Sequence, residues 1–420
     1  MNTPQFKFRL KAIHVVAAAA TVGFVVAACG GGGDDALQPD AAPAEPAAPS
    51  TPSAPALADQ IAARTHYFGA ENVDASTGAI RADLVIMSWL SNTTYAAAIN
   101  GKVVLLDASL MRRETTPGRT PTTLDEMVAL MPSYILVGKA APAHADLAAN
   151  IAFRTAATII GAQEHCDAVE TDARRQQAWS GAAKLLKCTA VVPGAQAVGA
   201  SVNTTALADL STCLRAVKHT DRSVATADPR LPAAAFDWSL NTDTRDAVMW
   251  PAGTAATDGV TTTGAADGPS VMYHLTIGAE RNFTLVWNDR VGSLPENAPA
   301  VLGLLRSLPK TDVQIGSVDV SNAATNGLRD AAYYIQAVAP KIFFPAGHDA
   351  AAQRAGAFNT AELMRRALEV SIDSVGVANE PEVRINFDPF DYIKPHYMIF
   401  DPSAPAWQRA GDRAASLTCQ

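Results

Sequence analysis

Few side chains in this 420-residue chain are placed to do chemistry. Histidine is the first type to consider, because a neutral imidazole ligates metals and titrates near neutral pH. Of the eight histidines, His144 has the most informative setting. It closes the loop Gly138-Lys139-Ala140-Ala141-Pro142-Ala143-His144. That loop follows the apolar run Tyr134-Ile-Leu-Val137 and leads into a helix-like stretch, Ala145–Arg154. His165 stands between Glu164 and Cys166 and reads as a loop or cap residue. His66, His274 and His396 have no partner at ligand spacing and read as ordinary surface or core residues. Other chemistries find no sequence support. There is no Gly-x-Ser-x-Gly elbow, no glycine-rich phosphate loop and no Cys-x-x-Cys pair to hold zinc.

A strand, a tight loop and a helix make the setting of a His-x-His-x-Asp-His signature, and residues 134–154 resemble that of the metallo-β-lactamase superfamily. On this pattern Lys139 and Ala141 fall on the first two histidines, Ala143 on the aspartate and His144 on the last histidine. The resemblance implies further ligands at strand ends. His219, closing an apolar run, matches the mid-chain histidine. Asp289, in Val286-Trp-Asn-Asp-Arg-Val-Gly292, matches the bridging aspartate, and His348, in Phe344-Pro-Ala-Gly-His-Asp349, matches the last histidine.

The resemblance implies two metal positions, and this sequence keeps them unequally. One retains His219 and a share of Asp289. The other retains His144, Asp289 and His348, and three protein ligands with an open position are what a catalytic zinc uses. Ala143 removes a ligand or a proton acceptor, and Lys139 adds a positive charge. Two placements of that lysine stay open: paired with Asp289 in the space of a lost metal, or pointing to solvent at the rim. Two functions follow. One is a hydrolase with a single zinc or other divalent metal, whose activated water attacks an ester, amide or phosphoester in a small-molecule substrate. The other is a catalytically inactive ligand- or partner-binding protein on the same scaffold, with no metal. A role in assembly ranks below both.

The elements that must position these residues read as follows. Residues 82–89, 94–99 and 102–107 are strands, and Asn100-Gly101 is a hairpin turn between the last two. Helices are expected at 122–130, 145–154 and 168–186, with strands at 134–137 and 158–160. In the second half, strands fall at 271–277, 282–287, 312–318 and 341–344, and helices at 299–307 and 325–338. Two β-rich halves with interspersed helices fit an α+β fold, a four-layer αββα metallo-β-lactamase sandwich over residues 58–420. Residues 220–270, rich in Thr, Asp, Gly, Pro and Ala, read as an irregular insertion carrying Trp238 and Trp250.

The N-terminus is read separately. Lys7, Arg9 and Lys11 precede the apolar run Ile13–Val26, and Val26-Ala27-Ala28-Cys29 resembles a bacterial lipobox. This implies a signal peptide at 1–28 and lipidation of Cys29. Gly30 after the cysteine favours the outer membrane, facing the periplasm. Residues 29–57, with Pro39, Pro43, Pro46, Pro49, Pro52 and Pro55, fit an extended tether. Removing 1–28 takes three cations and no acid from a chain whose formal charge is already −8. That balance argues against nucleic acid, whose phosphates demand clustered Lys and Arg. Membrane attachment is then through lipid. Four cysteines remain, Cys166, Cys188, Cys213 and Cys419. In an oxidising compartment they suggest disulfides. Three connectivities are possible, with Cys188–Cys213 the expected bridge.

Overall fold

The computed structural model describes residues 54–110, 113–114, 122–180, 186–222, 224, 248–249, 269–278, 283–318, 328–347, 357–385, 397–407 and 419. The expected signal peptide, Cys29, most of the tether, most of the insertion with Trp238 and Trp250, and both His348 and His396 lie outside these residues.

The first half contains α1 (Leu57–Phe68), β1 (Val85–Ser91), β2 (Thr94–Ile99), β3 (Lys102–Leu106), β4 (Arg113–Glu114), α2 (Leu124–Ala129) and β5 (Tyr134–Leu136). It continues with α3 (Pro142–Ala145), α4 (Ala148–Thr155), β6 (Thr158–Ala162), α5 (Gln163–Ser180) and β7 (Lys187–Val192). The second half holds β8 (Val202–Leu207), β9 (Thr212–His219), β10 (Val248–Met249), β11 (Ser270–Ile277), β12 (Phe283–Asn288), α6 (Leu294–Asn297), α7 (Pro299–Ser307) and β13 (Thr311–Ser317). It ends with α8 (Arg329–Val338), β14 (Pro340–Ala346), α9 (Ala357–Val375), β15 (Glu382–Val383) and β16 (Tyr397–Phe400).

Two seven-stranded sheets result, ordered β16-β1-β2-β3-β5-β6-β7 and β15-β14-β13-β12-β11-β9-β8. Each is antiparallel on one side and parallel on the other, with β3, β5, β6 and β7 parallel in the first and β12 to β15 parallel in the second. Strand residues alternate between two cores. Val85, Met87 and Trp89 join a cluster with Leu285, Trp287 and Phe344 of the facing sheet. Ile86 and Leu90 pack outward with Phe68, Met127 and Ile151 of the helices. Val286 likewise turns away from the centre to Leu305, Ile335 and Leu368. A sheet covered on both faces needs apolar side chains on both, hence the continuous apolar runs in the sequence. The architecture is the expected αββα order of four layers.

Local chemistry agrees with this plan. Asn100 and Gly101 take φ of 49° and 72°, both left-handed, as a two-residue hairpin turn demands. Thr123 and Glu126 form a capping box that starts α2. α5 begins at Gln163, so His165 falls in its first turn rather than before the helix.

The expected Cys188–Cys213 bridge is not formed. Cys166 pairs with Cys188, and Cys213 with Cys419. The reason is topological. Cys188 lies on β7 of the first sheet, beside α5, whereas Cys213 lies on β9 of the second. The two bridges therefore tie α5 to its neighbouring strand and the C-terminus to β9.

Candidate metal centre

Strand ends converge at one edge of the sandwich. Asp107 follows β3 in a left-handed conformation (φ 60°), and Gly138 opens the loop after β5 that carries His144. His219 ends β9, and Asp289 follows β12. Backbone bonds stitch these pieces together. The Ala108 amide donates to the His144 carbonyl at 2.7 Å, the Gly138 amide to Asp107 Oδ1 at 3.1 Å, and the Val271 amide to the Gly138 carbonyl at 2.9 Å. Two core aromatics reach across the sheets. The Tyr273 hydroxyl donates to the Val137 carbonyl at 2.8 Å, and Trp287 Nε1 to the Thr93 carbonyl at 3.2 Å. Both segments beside the site are thus anchored to the second sheet.

Asp107 is fully buried and completely engaged. Its Oδ2 accepts from Thr93 Oγ1 at 2.7 Å and lies 2.8 Å from His144 Nδ1. Asp289 Oδ2 is 3.1 Å from the same Nδ1. With the Asp107 acceptor on this side, Nδ1 carries the imidazole proton and Nε2 is left as a bare lone pair. That atom is buried and has no hydrogen-bond partner among the described residues. Both oxygens of Asp289, a residue 1% exposed, are in the same position. Asp289 also presses on the loop: a Cβ at Gly138 would lie 2.3 Å from Asp289 Cγ, so only glycine admits this approach.

His219 repeats the pattern. Its Nδ1 faces the Thr220 carbonyl at 3.1 Å and the Tyr334 hydroxyl at 2.8 Å. The tyrosine spends its own proton on the Thr220 carbonyl at 3.0 Å, so Nδ1 is the donor. Nε2 is again bare, buried and unmatched. His219 lines a cleft of about 830 Å³ together with Glu164, Lys218, Asp221, Arg222 and Ser270.

Electrostatics follow from burial. Desolvation pushes His144 and His219 down to about 4, so both are neutral ligand-type imidazoles at neutral pH; for His144 the charge of Asp289 opposes the shift. Burial pushes Asp289 up to about 7, with the neighbouring Asp107 adding to the shift and His144 opposing it. Burial also raises Asp107 well above the ordinary range. A divalent cation would favour the ionised carboxylate.

Asp107, His144 and Asp289 each place a donor atom within 4.8 Å of the others. Of these Asp107 is the orienting carboxylate, because both its oxygens already accept hydrogen bonds. Unmatched atoms here belong to His144, Asp289 and His219, and at the cleft also to Glu164 and Ser270. A soft-to-borderline imidazole nitrogen beside a carboxylate is a donor set that fits zinc and similar divalent metals.

The structure therefore brings His144 and Asp289 together and sets His219 on a cleft that neither of them lines. His348 lies outside the described residues. Ala141 is buried and offers no donor, and Ala143 lies in α3. Neither placement left open for Lys139 is the one found: it is nearly buried and ion-pairs with Asp221, two residues beyond His219, rather than pairing with Asp289 or pointing to solvent. Gly138 presents its Cβ direction to Asp289, and the next side chain leaves the loop toward β9. From the sequence, Asp107 reads as the acid that ends the third strand, a feature of the resembled fold, with no partner assigned, and Thr93, Asp221 and Tyr334 are not singled out. The run Val103-Val-Leu-Leu-Asp107 was the available signal, since an acid closing a fully apolar strand needs a partner.

No protein-family profile matches the sequence, and no curated protein sequence matches it. Solved structures do resemble it. A metallo hydrolase from the archaeon Ignicoccus hospitalis is similar over 76% of this chain and 98% of its own, with TM-score 0.43 and 11% identity. A metallo-beta-lactamase fold protein from Bacillus subtilis is similar over 76% and 100%, with TM-score 0.40 and 9% identity. Zinc-bound PqqB from Methylobacterium extorquens is similar over 71% and 86%, with TM-score 0.39 and 9% identity. Likeness at this level transfers no chemistry, so the functional reading rests on this chain's own side chains.

Proposed function

We propose that the protein is a metal-dependent hydrolase of the bacterial envelope, with one divalent cation, zinc by its donor chemistry, held on His144 and Asp289. One observation carries the reading: His144 Nε2 and both oxygens of Asp289 are buried without hydrogen-bond partners among the described residues, on two side chains that approach each other to 3.1 Å through His144 Nδ1. Unmatched buried polar atoms cost stability, and a cation satisfies a lone pair and a carboxylate together. His348, the third ligand that the resemblance implies, would complete the set.

A divalent cation in this position supplies Lewis acidity toward a carbonyl or phosphoryl oxygen and lowers the pKa of a water. The chain's own groups prepare the site. Asp107 and Thr93 hold the His144 ring with Nε2 bare. Asp289 contributes a carboxylate that burial would otherwise keep partly protonated. His219, neutral and facing the cleft, is placed to accept or orient a proton. The cleft that His219 lines, though neither His144 nor Asp289 does, has room for a small ester, amide or phosphoester. The lipobox at Cys29 and the proline-rich tether support a lipid-anchored position on the outer membrane facing the periplasm.

Protein purified without chelator is expected to carry a near-stoichiometric divalent metal, lost in His144→Ala and Asp289→Ala. Hydrolysis of ester, lactam or phosphodiester probes should fall with it. Metal below about a tenth of an equivalent overturns the reading. A second reading, a ligand-binding protein without turnover, is favoured by the Lys139–Asp221 pair and the donor-free Ala141 in the loop. No turnover of any probe class, whether or not metal is bound, would select it.

A further inference from the structure

The cleft of about 830 Å³ takes its walls from both halves of the chain. Glu164 comes from the first turn of α5, Lys218 and His219 from the end of β9, and Ser270 from the start of β11. Ser270 is the register partner of His219, so the two side chains leave neighbouring strands on one face. The α5 wall is pinned at its base. Cys166 is bonded to Cys188, and His165 Nε2 meets the carbonyl of Pro269, the residue before Ser270, at 2.7 Å. Three buried polar atoms of cleft residues have no hydrogen-bond partner among the described residues: Glu164 Oε2, His219 Nε2 and Ser270 Oγ. All three can accept a hydrogen bond. Glu164 is half used, because its Oε1 lies 3.2 Å from the Lys218 ammonium, which also meets the Gly194 carbonyl at 3.4 Å. Elsewhere in this chain a buried carboxylate takes an ammonium on each oxygen: Asp312 receives Lys341 on Oδ1 at 2.8 Å and Lys310 on Oδ2 at 3.0 Å. Glu164 has the first of two such partners and lacks the second.

We propose that this cleft binds a small primary amine, whose ammonium takes the open oxygen of Glu164 and finds further acceptors in Ser270 and His219. An ammonium carries three donors and no acceptor, which suits a wall whose unmatched buried atoms all accept. A carboxylate oxygen gains about twice as much from a charged donor as from a neutral one, so an amine is preferred to a hydroxyl. The Glu164 side chain is 34% exposed, so its carboxylate can turn from the wall to meet a ligand, while Ser270 and His219 stay fixed in the sheet. Neither His144 nor Asp289 lines the cleft, so the site goes beyond the hydrolase reading and does not depend on metal at the centre.

The test is calorimetric titration of the full chain in chelator with three probes that share one body: benzylamine, benzyl alcohol and N-acetylbenzylamine. Benzylamine is expected to bind about tenfold more tightly than either of the others. Glu164→Gln keeps the shape and removes the charge, and should lose about tenfold for benzylamine while leaving the alcohol unchanged. Ser270→Ala, a smaller deletion on the opposite wall, should weaken benzylamine by about threefold. Near-UV circular dichroism and urea midpoints establish that both variants are folded. Equal binding of benzylamine and benzyl alcohol would make this a site for neutral donors and overturn the inference. So would an unchanged benzylamine affinity in both variants, or no binding of benzylamine to wild type. Because the titrations are run without metal, failure of the hydrolase reading leaves each of these outcomes intact.

Discussion

The two ends of β12 bury charge in opposite ways. At its start, Asp312 is fully buried and shared by two buried lysines. Lys341 Nζ lies 2.8 Å from Oδ1 and Lys310 Nζ 3.0 Å from Oδ2. Both ammoniums also donate to the Trp407 carbonyl, and Thr284 donates to Asp312 through its amide and its hydroxyl. At the other end, roughly 17 Å away by strand rise, Asp289 is as deeply buried and accepts no hydrogen bond among the described residues. Both ends contain buried carboxylates and cations. What separates them is completeness. The first cluster satisfies itself and clasps the C-terminal segment against the second sheet. The second is preorganised and unmatched, which marks a place for a ligand.

The largest expected effect tests that contrast directly. Asp312→Ala leaves two buried ammoniums without a counter-charge and should cost about 3–5 kcal/mol of stability. Asp289→Asn should behave otherwise. In chelator it removes one of two carboxyls crowding His144, so its urea midpoint should lie no lower than that of wild type, while metal uptake disappears. If both variants unfold equally early, the ends do not differ in kind.

The same contrast explains what could be read from the sequence. The layers were legible because Val85–Leu90, Val103–Leu106 and Leu285–Trp287 are apolar on both faces, and the β2–β3 turn because Asn100-Gly101 demands one backbone conformation. β16 was missed: it is four residues long and returns from the second sheet to the edge of the first, where its register is set by Val85–Ser88 rather than by its own pattern. α1 and α9 also went unassigned. At the site, the resemblance singles out His144 and Asp289, and the structure sets the two 3.1 Å apart. Their partners were not legible. Asp107 stands 37 residues from His144, Asp221 82 from Lys139, and Tyr334 115 from His219. Which side chain meets which over such separations is decided by packing, and the disulfides were mispaired for the same reason.

A buried histidine with matched nitrogens sharpens the comparison at the metal end itself. His165 Nδ1 meets the Val137 carbonyl at 3.0 Å and the Ala162 amide at 3.2 Å, and Nε2 meets the Pro269 carbonyl at 2.7 Å, so both ring nitrogens have partners within the protein. Burial pushes this ring down to about 4, whereas in the unfolded chain it takes up a proton near 6.5. Between those values the unfolded state binds the extra proton. The stability owed to His165 is therefore complete above about pH 6.5 and lost as pH falls toward 4, by up to about 3 kcal/mol. Urea midpoints in chelator at neutral and acid pH should fall further for wild type than for His165→Gln. Equal falls would mean that the ring is not held neutral.

The smallest effect compares two threonines that do the same task at opposite ends of β12. Thr93 donates to Asp107 Oδ2 at 2.7 Å, and Thr284 donates to Asp312 Oδ2 at 3.0 Å. Both are fully buried, and valine replaces either with little change in shape. If the ends differ as argued, the same chemical deletion should register in different measurements. Thr93→Val loosens the carboxylate that orients His144, so zinc affinity should fall by about tenfold. Thr284→Val should leave zinc affinity unchanged and lower stability by about 1–2 kcal/mol, because it strips a donor from a cluster whose only task is to hold the fold. A loss of zinc affinity in Thr284→Val would connect the two ends through β12. An unaltered affinity in Thr93→Val would mean that Asp107 fixes the His144 ring without help.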